Sequence, residues 1–173
     1  MKLDTITKTK LTTKLISTSF NQLLETDIES VLLIERQSSN NPWTQTQLLE
    51  SIKNPVNLAY SLIYKSEIIG YLIAMPVIES ADILNIAINS SYQRKGFGKA
   101  LIEHLVQALN KRGVSEVLLE VRQSNVSAIQ FYLALGFKEI SIRKNYYTKN
   151  SNEPSVKEDG IIMRLEISTT KNT

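Results

Sequence analysis

The 173-residue sequence contains no cysteine and a single histidine. The absence of cysteine excludes a disulfide framework, a thiolate nucleophile and any zinc site that uses sulfur ligands. One histidine, His104, is too few for a multi-histidine metal site, and its position inside a helical pattern favours a border or surface role. We therefore expect no metal centre and no histidine-based proton relay.

Long apolar runs are absent as well. No segment approaches the roughly 18 apolar residues that a membrane-spanning helix requires, and the N-terminus lacks the apolar region of a secretory signal. The 42% apolar and 21% charged content is ordinary for a soluble globular protein. These features predict a soluble, cytoplasmic protein with no membrane partner.

The net charge of +3 belongs to one end of the chain. Residues 1–19 hold four lysines and one aspartate, and the other 154 residues carry 16 charges of each sign. A basic arm on a neutral body is more often a solvated tail than a nucleic-acid contact. We predict a flexible arm at 1–18, one domain at 19–167 and a disordered tail at 168–173. Nucleic-acid binding through the arm stays an alternative, which would make association strongly salt-dependent.

The apolar pattern predicts a mixed α/β fold, of the α+β kind, with helices flanking a sheet. Thr26 and Thr44 are placed to cap two early helices. The β-type runs at 57–64 and 68–78 predict an antiparallel hairpin. The remaining predicted elements are a strand at 83–88, a helix to about Arg112, a strand at 114–121, a helix from Asn125 to Leu135, a strand from Phe137 and a last strand at 161–167.

A basic, glycine-containing loop joins the strand at 83–88 to the long helix. It reads Gln93-Arg94-Lys95-Gly96-Phe97-Gly98-Lys99-Ala100. The glycines allow backbone N–H groups to converge, the helix N-terminus adds partial positive charge, and the basic side chains add formal charge. Such a loop suits a pyrophosphate, although a plain turn is the alternative on these residues alone. A nucleoside triphosphate P-loop is excluded because Gly-Lys-Ser/Thr is missing.

With its neighbours, the loop resembles the acetyl-coenzyme A motif of the GNAT family of N-acetyltransferases. The resemblance begins at Leu84-Asn85-Ile86-Ala87-Ile88 and continues through Leu119-Glu120-Val121-Arg122, Ser124-Asn125, Phe131-Tyr132, Leu135-Gly136-Phe137 and Arg143 to Tyr147. This set is similar to the RimI branch, the ribosomal-protein alanine N-acetyltransferases. The similarity covers roughly residues 19–167.

The resemblance implies a mixed, mostly antiparallel sheet that splays between its fourth and fifth strands, with acetyl-coenzyme A in the splay and no metal. It implies that Asn125 touches the pantetheine arm of the cofactor. It also implies that the backbone of Ile86, Ala87 and Ile88 contacts the pantetheine and acetyl part of the cofactor. The pyrophosphate would be wrapped by Arg94, Lys95, Gly96, Phe97, Gly98 and Lys99.

Two catalytic roles follow from the same resemblance. Glu120 matches the proton acceptor of the family, and Tyr132 matches its proton donor. The alternation from Val117 to Val121 independently places Glu120 on the face opposite the valines. A solvated carboxylate at Glu120 and a core aromatic at Tyr132 are the alternatives on the residues alone.

The RimI branch acetylates the N-terminal alanine of the eighteenth small-subunit ribosomal protein, which implies a protein α-amine as acceptor. An α-amine, with a pKa of about 7.7–8.0, is partly neutral at pH 7, whereas a lysine near about 10.4 needs more help. Without cysteine, direct transfer is expected. The alternatives are a lysine or small-molecule acceptor and a non-catalytic coenzyme A-binding module.

Overall fold

A computed structural model describes residues 18–39, 41–150 and 153–167. The predicted tail at 168–173 and all but the last residue of the predicted arm lie outside the described residues. The strands are β1 (Thr18–Gln22), β2 (Leu58–Tyr64), β3 (Glu67–Val77), β4 (Ser80–Ile88), β5 (Glu116–Arg122), β6 (Lys138–Asn150) and β7 (Glu153–Glu166). The helices are α1 (Ile28–Ser38), α2 (Gln45–Lys53), α3 (Phe97–Asn110) and α4 (Val126–Ala134). Short 3₁₀ turns occupy Glu25–Asp27 and Ser90–Tyr92.

The strands form one seven-stranded sheet in the order β1-β2-β3-β4-β5-β7-β6. Strands β4 and β5 run parallel, in register from Ser80 with Glu116 to Ile83 with Leu119. The pairs β1–β2, β5–β7 and β6–β7 are antiparallel. The predicted mixed, mostly antiparallel sheet is confirmed, and its parallel pair consists of the fourth and fifth strands.

The described chain divides into two compact units. The first comprises the residues up to Ile73 together with Asn85–His104, and the second comprises Ala74–Leu84 together with the residues from Leu105 onward. The first unit buries apolar side chains of α1, α2, β2, β3 and the start of α3, and the second buries those of β5, β7 and the rest of α3. Each unit therefore has apolar side chains of its own to exclude from water.

Local sequence signals account for most of the element ends. Thr44 caps α2 because its side chain accepts the Gln47 N–H, and the Gln47 side chain accepts the Thr44 N–H in return. The prediction that Thr26 caps α1 is wrong. A 3₁₀ turn precedes α1, and the Asp27 carboxylate accepts the Leu24 N–H at 2.9 Å. Asp27 is the N-cap residue of α1, but its side chain bonds back to this N–H and makes no cap hydrogen bond to α1 itself.

A buried carboxylate connects α1 with the segment before α2. Glu35 is only 2% exposed. Its Oε1 accepts the Trp43 N–H at 2.8 Å, and its Oε2 accepts the Tyr71 hydroxyl. Burial first, and then the charge and hydrogen bond of Glu35, raise the pKa of Tyr71, so its hydroxyl keeps the proton that it donates. This network anchors the backbone of the Pro42-Trp43 turn.

We expect Glu35→Ala to lower the free energy of unfolding by about 2–4 kcal/mol, because it leaves a buried hydroxyl and a buried N–H without an acceptor. Glu35→Gln, which keeps one acceptor oxygen, should cost less. Chemical denaturation monitored by circular dichroism measures both values. The control is Glu29→Ala on an exposed position of the same helix, for which a change within about 0.5 kcal/mol is expected. Equal losses for Glu35→Ala and Glu29→Ala would contradict the assigned role.

Candidate active site

The loop before α3, in the first unit, has a backbone path that is suited to bind an anion. Arg94 and Gly96 both have positive φ, 57° and 87°, and nothing lies within 4 Å of the position of a Cβ on Gly96. This backbone turn leads directly into α3, whose helical hydrogen bonding begins with Ala100 N–H to the Gly96 carbonyl at 3.1 Å. The N–H groups of the first helical turn have no carbonyl partner within the helix. An anion can therefore be bound at this end of α3.

Two side chains fix the position of this loop through contacts with its surroundings. Phe97 is 1% exposed and packs on Tyr64 and Tyr92, with ring centroids 5.3 Å and 6.1 Å away. The Gln93 side-chain amide donates to the Ile88 carbonyl at 2.9 Å. Phe97, predicted as part of the pyrophosphate loop, thus has a buried side chain, and only its backbone is suited to that contact. The aromatic packing accommodates this bulky side chain inside the loop.

The three basic side chains of the loop are exposed but differ in their partners. Lys95 Nζ donates to the Ser91 carbonyl and lies 5.5 Å from the centre of the Tyr92 ring. Lys99 lies 3.6 Å from Glu103, one helical turn later. Arg94 has no ion pair within the described ranges, so its full charge is available to a bound anion.

The predicted cofactor strand precedes this loop. Ile86 is half-buried, and Ala87 and Ile88 are buried. Their side chains therefore belong to the packing of the first unit, which leaves backbone groups as the polar atoms available there. That is the kind of contact predicted for these three residues.

Glu120 lies in the second unit, on the polar face of β5. The burial of β5 alternates residue by residue, and Val117, Leu119 and Val121 are buried as predicted. The Glu120 side chain is 20% exposed, and its Oε2 lies 2.9 Å from Nη1 of Arg143 on β6. It is therefore neither fully solvated nor part of the core.

A second donor and a glycine complete the surroundings of this carboxylate. The Tyr147 hydroxyl lies beside Glu120, and burial first, then the hydrogen-bonding and charge of this carboxylate, raise the pKa of Tyr147. A Cβ on Gly160 of β7 would lie 3.0 Å from Glu120 Oε1 and 3.1 Å from Tyr147 Cε2. The carboxylate thus rests against the backbone of Gly160, and any larger residue there would push it away.

The pairing of β5, β7 and β6 explains why these groups meet. Gly160 is opposite both Arg122 and Arg143, and Glu158 is opposite Tyr147. Directly paired residues share a face of the sheet, as do residues two apart on a strand. The register therefore collects the side chains of Glu120, Arg122, Arg143, Tyr147 and Glu158 on one face.

Tyr132 lies on α4, also in the second unit. It is 8% exposed and packs between Phe131 and Phe137, with ring centroids 5.2 Å and 5.4 Å away. Burial raises the pKa of its hydroxyl to about 12, so the group remains protonated at neutral pH. None of the hydrogen bonds among the described residues uses this hydroxyl.

Asn125 is exposed at the N-cap of α4, where its Oδ1 accepts the Ala128 N–H at 3.1 Å. Its side-chain oxygen therefore stabilises the helix, and its side-chain NH₂ group is the part suited to a ligand. His104 packs against the rings of Phe20 and Tyr60, 4.3 Å and 4.6 Å away, which fits the expected non-catalytic role.

The model of the acetyltransferase (GNAT) family matches residues 19–137. The chain belongs to the GNAT family of acetyltransferases. It is 38% identical over 150 residues to the [Ribosomal protein bS18]-alanine N-acetyltransferase of Escherichia coli strain K12, a match that covers 87% of this chain and 98% of that protein.

Solved structures of acetyltransferases are also similar to this chain. The ribosomal-protein-S18-alanine N-acetyltransferase of Escherichia coli superposes with a TM-score of 0.80 at 36% identity, covering 90% of this chain and 98% of that chain. The PaiA N-acetyltransferase of Thermoplasma acidophilum, solved in complex with coenzyme A, shares the fold alone, with a TM-score of 0.69 at 20% identity over 87% of this chain and 99% of that chain.

The described part of this GNAT chain contains neither a group of metal ligands nor a membrane-spanning helix. Within residues 18–39, 41–150 and 153–167, no three or more histidines, aspartates and glutamates are grouped so that they could hold a metal ion. Over the same ranges, no helix is long and apolar enough to cross a membrane.

Sequence reasoning missed the residues that hold Glu120. Arg143 and Tyr147 belong to the stretch that carries the family resemblance, but nothing in their spacing indicates that they contact Glu120. Gly160 falls 40 residues after Glu120 in the chain. An isolated glycine inside a strand pattern is a signal of close backbone approach, and it could have drawn attention to Gly160.

We expect Gly160→Ala to lower the acetyl-transfer turnover of this GNAT enzyme by about ten-fold or more, because the new methyl group displaces the Glu120 carboxylate. Steady-state kinetics measures the change. Ser155→Ala, at an exposed position of the same strand, is the control and should behave as wild type. Full activity of Gly160→Ala would show that the position of the carboxylate is not critical.

Proposed function

We propose that the protein transfers the acetyl group of acetyl-coenzyme A directly to the α-amine of a protein, namely the N-terminal alanine of ribosomal protein bS18. The observation that carries the proposal is Glu120, a half-buried carboxylate on the polar face of β5, which the resemblance matches to the proton acceptor of the family. The relatives named for this reaction match over nearly their whole length, which supports the same acceptor. Action on a ribosomal protein is consistent with a cytoplasmic location.

The loop from Arg94 to Lys99 fits the pyrophosphate of the donor substrate. Its backbone turns at Arg94 and Gly96, α3 adds the positive end of its dipole, and Arg94 adds a charge without an internal ion pair in the described residues. Bound acetyl-coenzyme A supplies an acetyl group activated as a thioester. The NH₂ group of Asn125 and the backbone of Ile86 to Ile88 are proposed to hold the pantetheine arm and acetyl part.

Glu120 is proposed to take a proton from the acceptor amine, directly or through a water molecule. An α-amine has a reference pKa of about 7.7–8.0, so a base of modest strength suffices to keep it neutral for attack. The carboxylate is accessible enough to reach a substrate, and Arg143 and Tyr147 define where its oxygens lie. The absence of cysteine leaves no thiol to carry the acetyl group.

Tyr132 is proposed to act on the departing thiolate. With its pKa raised to about 12 by burial, the hydroxyl is protonated throughout the neutral range. A thiol, with a reference pKa of about 8.5, is the stronger acid. Complete transfer of its proton would be uphill, so Tyr132 stabilises the departing thiolate by donating a hydrogen bond to it and keeps its own proton, while the proton of the amine leaves through Glu120.

The acceptor is tested by mass spectrometry of bS18 incubated with the enzyme and acetyl-coenzyme A. We expect a single acetyl group on the N-terminal alanine, because only the α-amine is substantially neutral at pH 7. A bS18 N-terminal peptide with a blocked α-amine is the control and should remain unmodified. Acetylation of internal lysines alone would show a lysine acceptor, and acetylation of small amines alone would show a small-molecule acceptor. Absence of all turnover would favour a non-catalytic coenzyme A-binding module.

Glu120→Gln and Tyr132→Phe should each lower kcat by about 100-fold, the usual contribution of a general base or acid. Both should bind acetyl-coenzyme A as wild type does, which isothermal titration calorimetry measures. The matched control is Glu116→Gln, on the same strand and paired with Arg164 at 3.7 Å, which should retain full turnover. If both variants are fully active, the catalytic roles are wrong although the family assignment stands.

A further inference from the structure

The two donors to Glu120 are held very differently. A carboxylate has about four lone-pair sites, so an incoming ammonium competes for charge and position with the groups already beside it. Arg143 bonds Glu120 at Oε2, and the Tyr147 hydroxyl lies beside the same carboxylate. The group that is held less firmly is the one that an incoming ammonium displaces more easily.

Tyr147 is fixed from the opposite side. The Arg122 guanidinium lies 4.2 Å from the centre of the Tyr147 ring. Arg122 in turn donates to the Thr148 carbonyl at 3.1 Å and to Glu158 at 2.8 Å. Burial alone would raise the pKa of Glu158, but hydrogen bonds from Ser124 and Arg122 outweigh it and lower that pKa, which keeps this anchor charged.

Arg143 is more exposed than Tyr147 and is held by fewer contacts. Its side chain is 52% exposed, and its bond to Glu120 is a single contact of 2.9 Å. Its guanidinium also lies 4.8 Å from the centre of the Tyr146 ring, which is itself exposed. Half-exposed ion pairs contribute little because water competes for both partners. Of the two donors, Arg143 is the one that a substrate can displace at small cost.

We propose that the protonated α-amine of the acceptor displaces Arg143 from Glu120 Oε2, so that Arg143 is a positioning residue that competes with the incoming cation. An α-ammonium carries the same charge as a guanidinium and donates the same kind of hydrogen bond to a carboxylate oxygen. Tyr147 keeps the carboxylate oriented during the exchange, and Arg143 turns into solvent while it keeps its contact with the exposed Tyr146 ring. The inference rests on the proposed function.

Arg143→Gln removes the competing charge and is the test. With a peptide that carries a free N-terminal alanine, KM for the peptide should fall about two- to five-fold, as expected for loss of a half-exposed ion pair. The value of kcat should change by less than KM does. The N-acetylated form of the peptide has no cation to compete with Arg143. As an inhibitor it should therefore bind the variant and the wild type equally.

Two further variants separate this role from a structural one. Arg143→Lys keeps a cation beside Glu120 and should restore KM to near the wild-type value. Arg164→Gln removes an arginine that pairs with Glu116 and Glu166 and should leave KM unchanged. Thermal unfolding of every variant verifies that it is folded.

An unchanged or raised KM in Arg143→Gln, or an equal effect on the N-acetylated peptide, would overturn the displacement of Arg143 and leave the proposed function intact. Wild-type enzyme that fails to acetylate the free-amine peptide would overturn the proposed function, and the displacement with it. A lower KM confined to the free amine, reversed by lysine, supports the inference.

Discussion

The close approach of the Glu120 carboxylate to Gly160 is the constraint on which the surroundings of this proposed proton acceptor depend. A carboxylate oxygen can lie this close to a strand only where no side chain projects from it. That contact places Glu120 within reach of Arg143 and Tyr147 at once. It also explains why this carboxylate is only partly exposed although it belongs to the polar face of β5.

The loop before α3, in the first unit, depends on a different physical principle. The anion site that we propose there consists of backbone N–H groups and the dipole of α3, with side-chain charge as an addition. A backbone cradle requires a fixed path of the chain, which is why Phe97 is buried among aromatic rings and Gln93 is bonded to the Ile88 carbonyl. These inward-facing contacts leave Arg94 at the surface with its charge available.

Much of the architecture followed from patterns of neighbouring residues. The cap at Thr44, the helix start after Asn125 and the alternation around Glu120 depend on contacts within a few positions, and all three were predicted correctly. Thr26 is not the cap because it lies inside the 3₁₀ turn Glu25–Asp27, so that α1 begins after Asp27. The buried role of Glu35 was not predicted, since its partners Trp43 and Tyr71 lie 8 and 36 residues away.

Sequence alone determined the family, and it also predicted the cofactor loop and the two residues proposed for proton transfer, because these are contiguous motifs whose residue types meet a definite chemical need. Only the tertiary structure decided what surrounds them. Residues 23 and 40 positions from Glu120 contact it because β5, β7 and β6 pair in one particular register. That register is set by the burial and hydrogen bonding of whole strands, and no short stretch of sequence contains it.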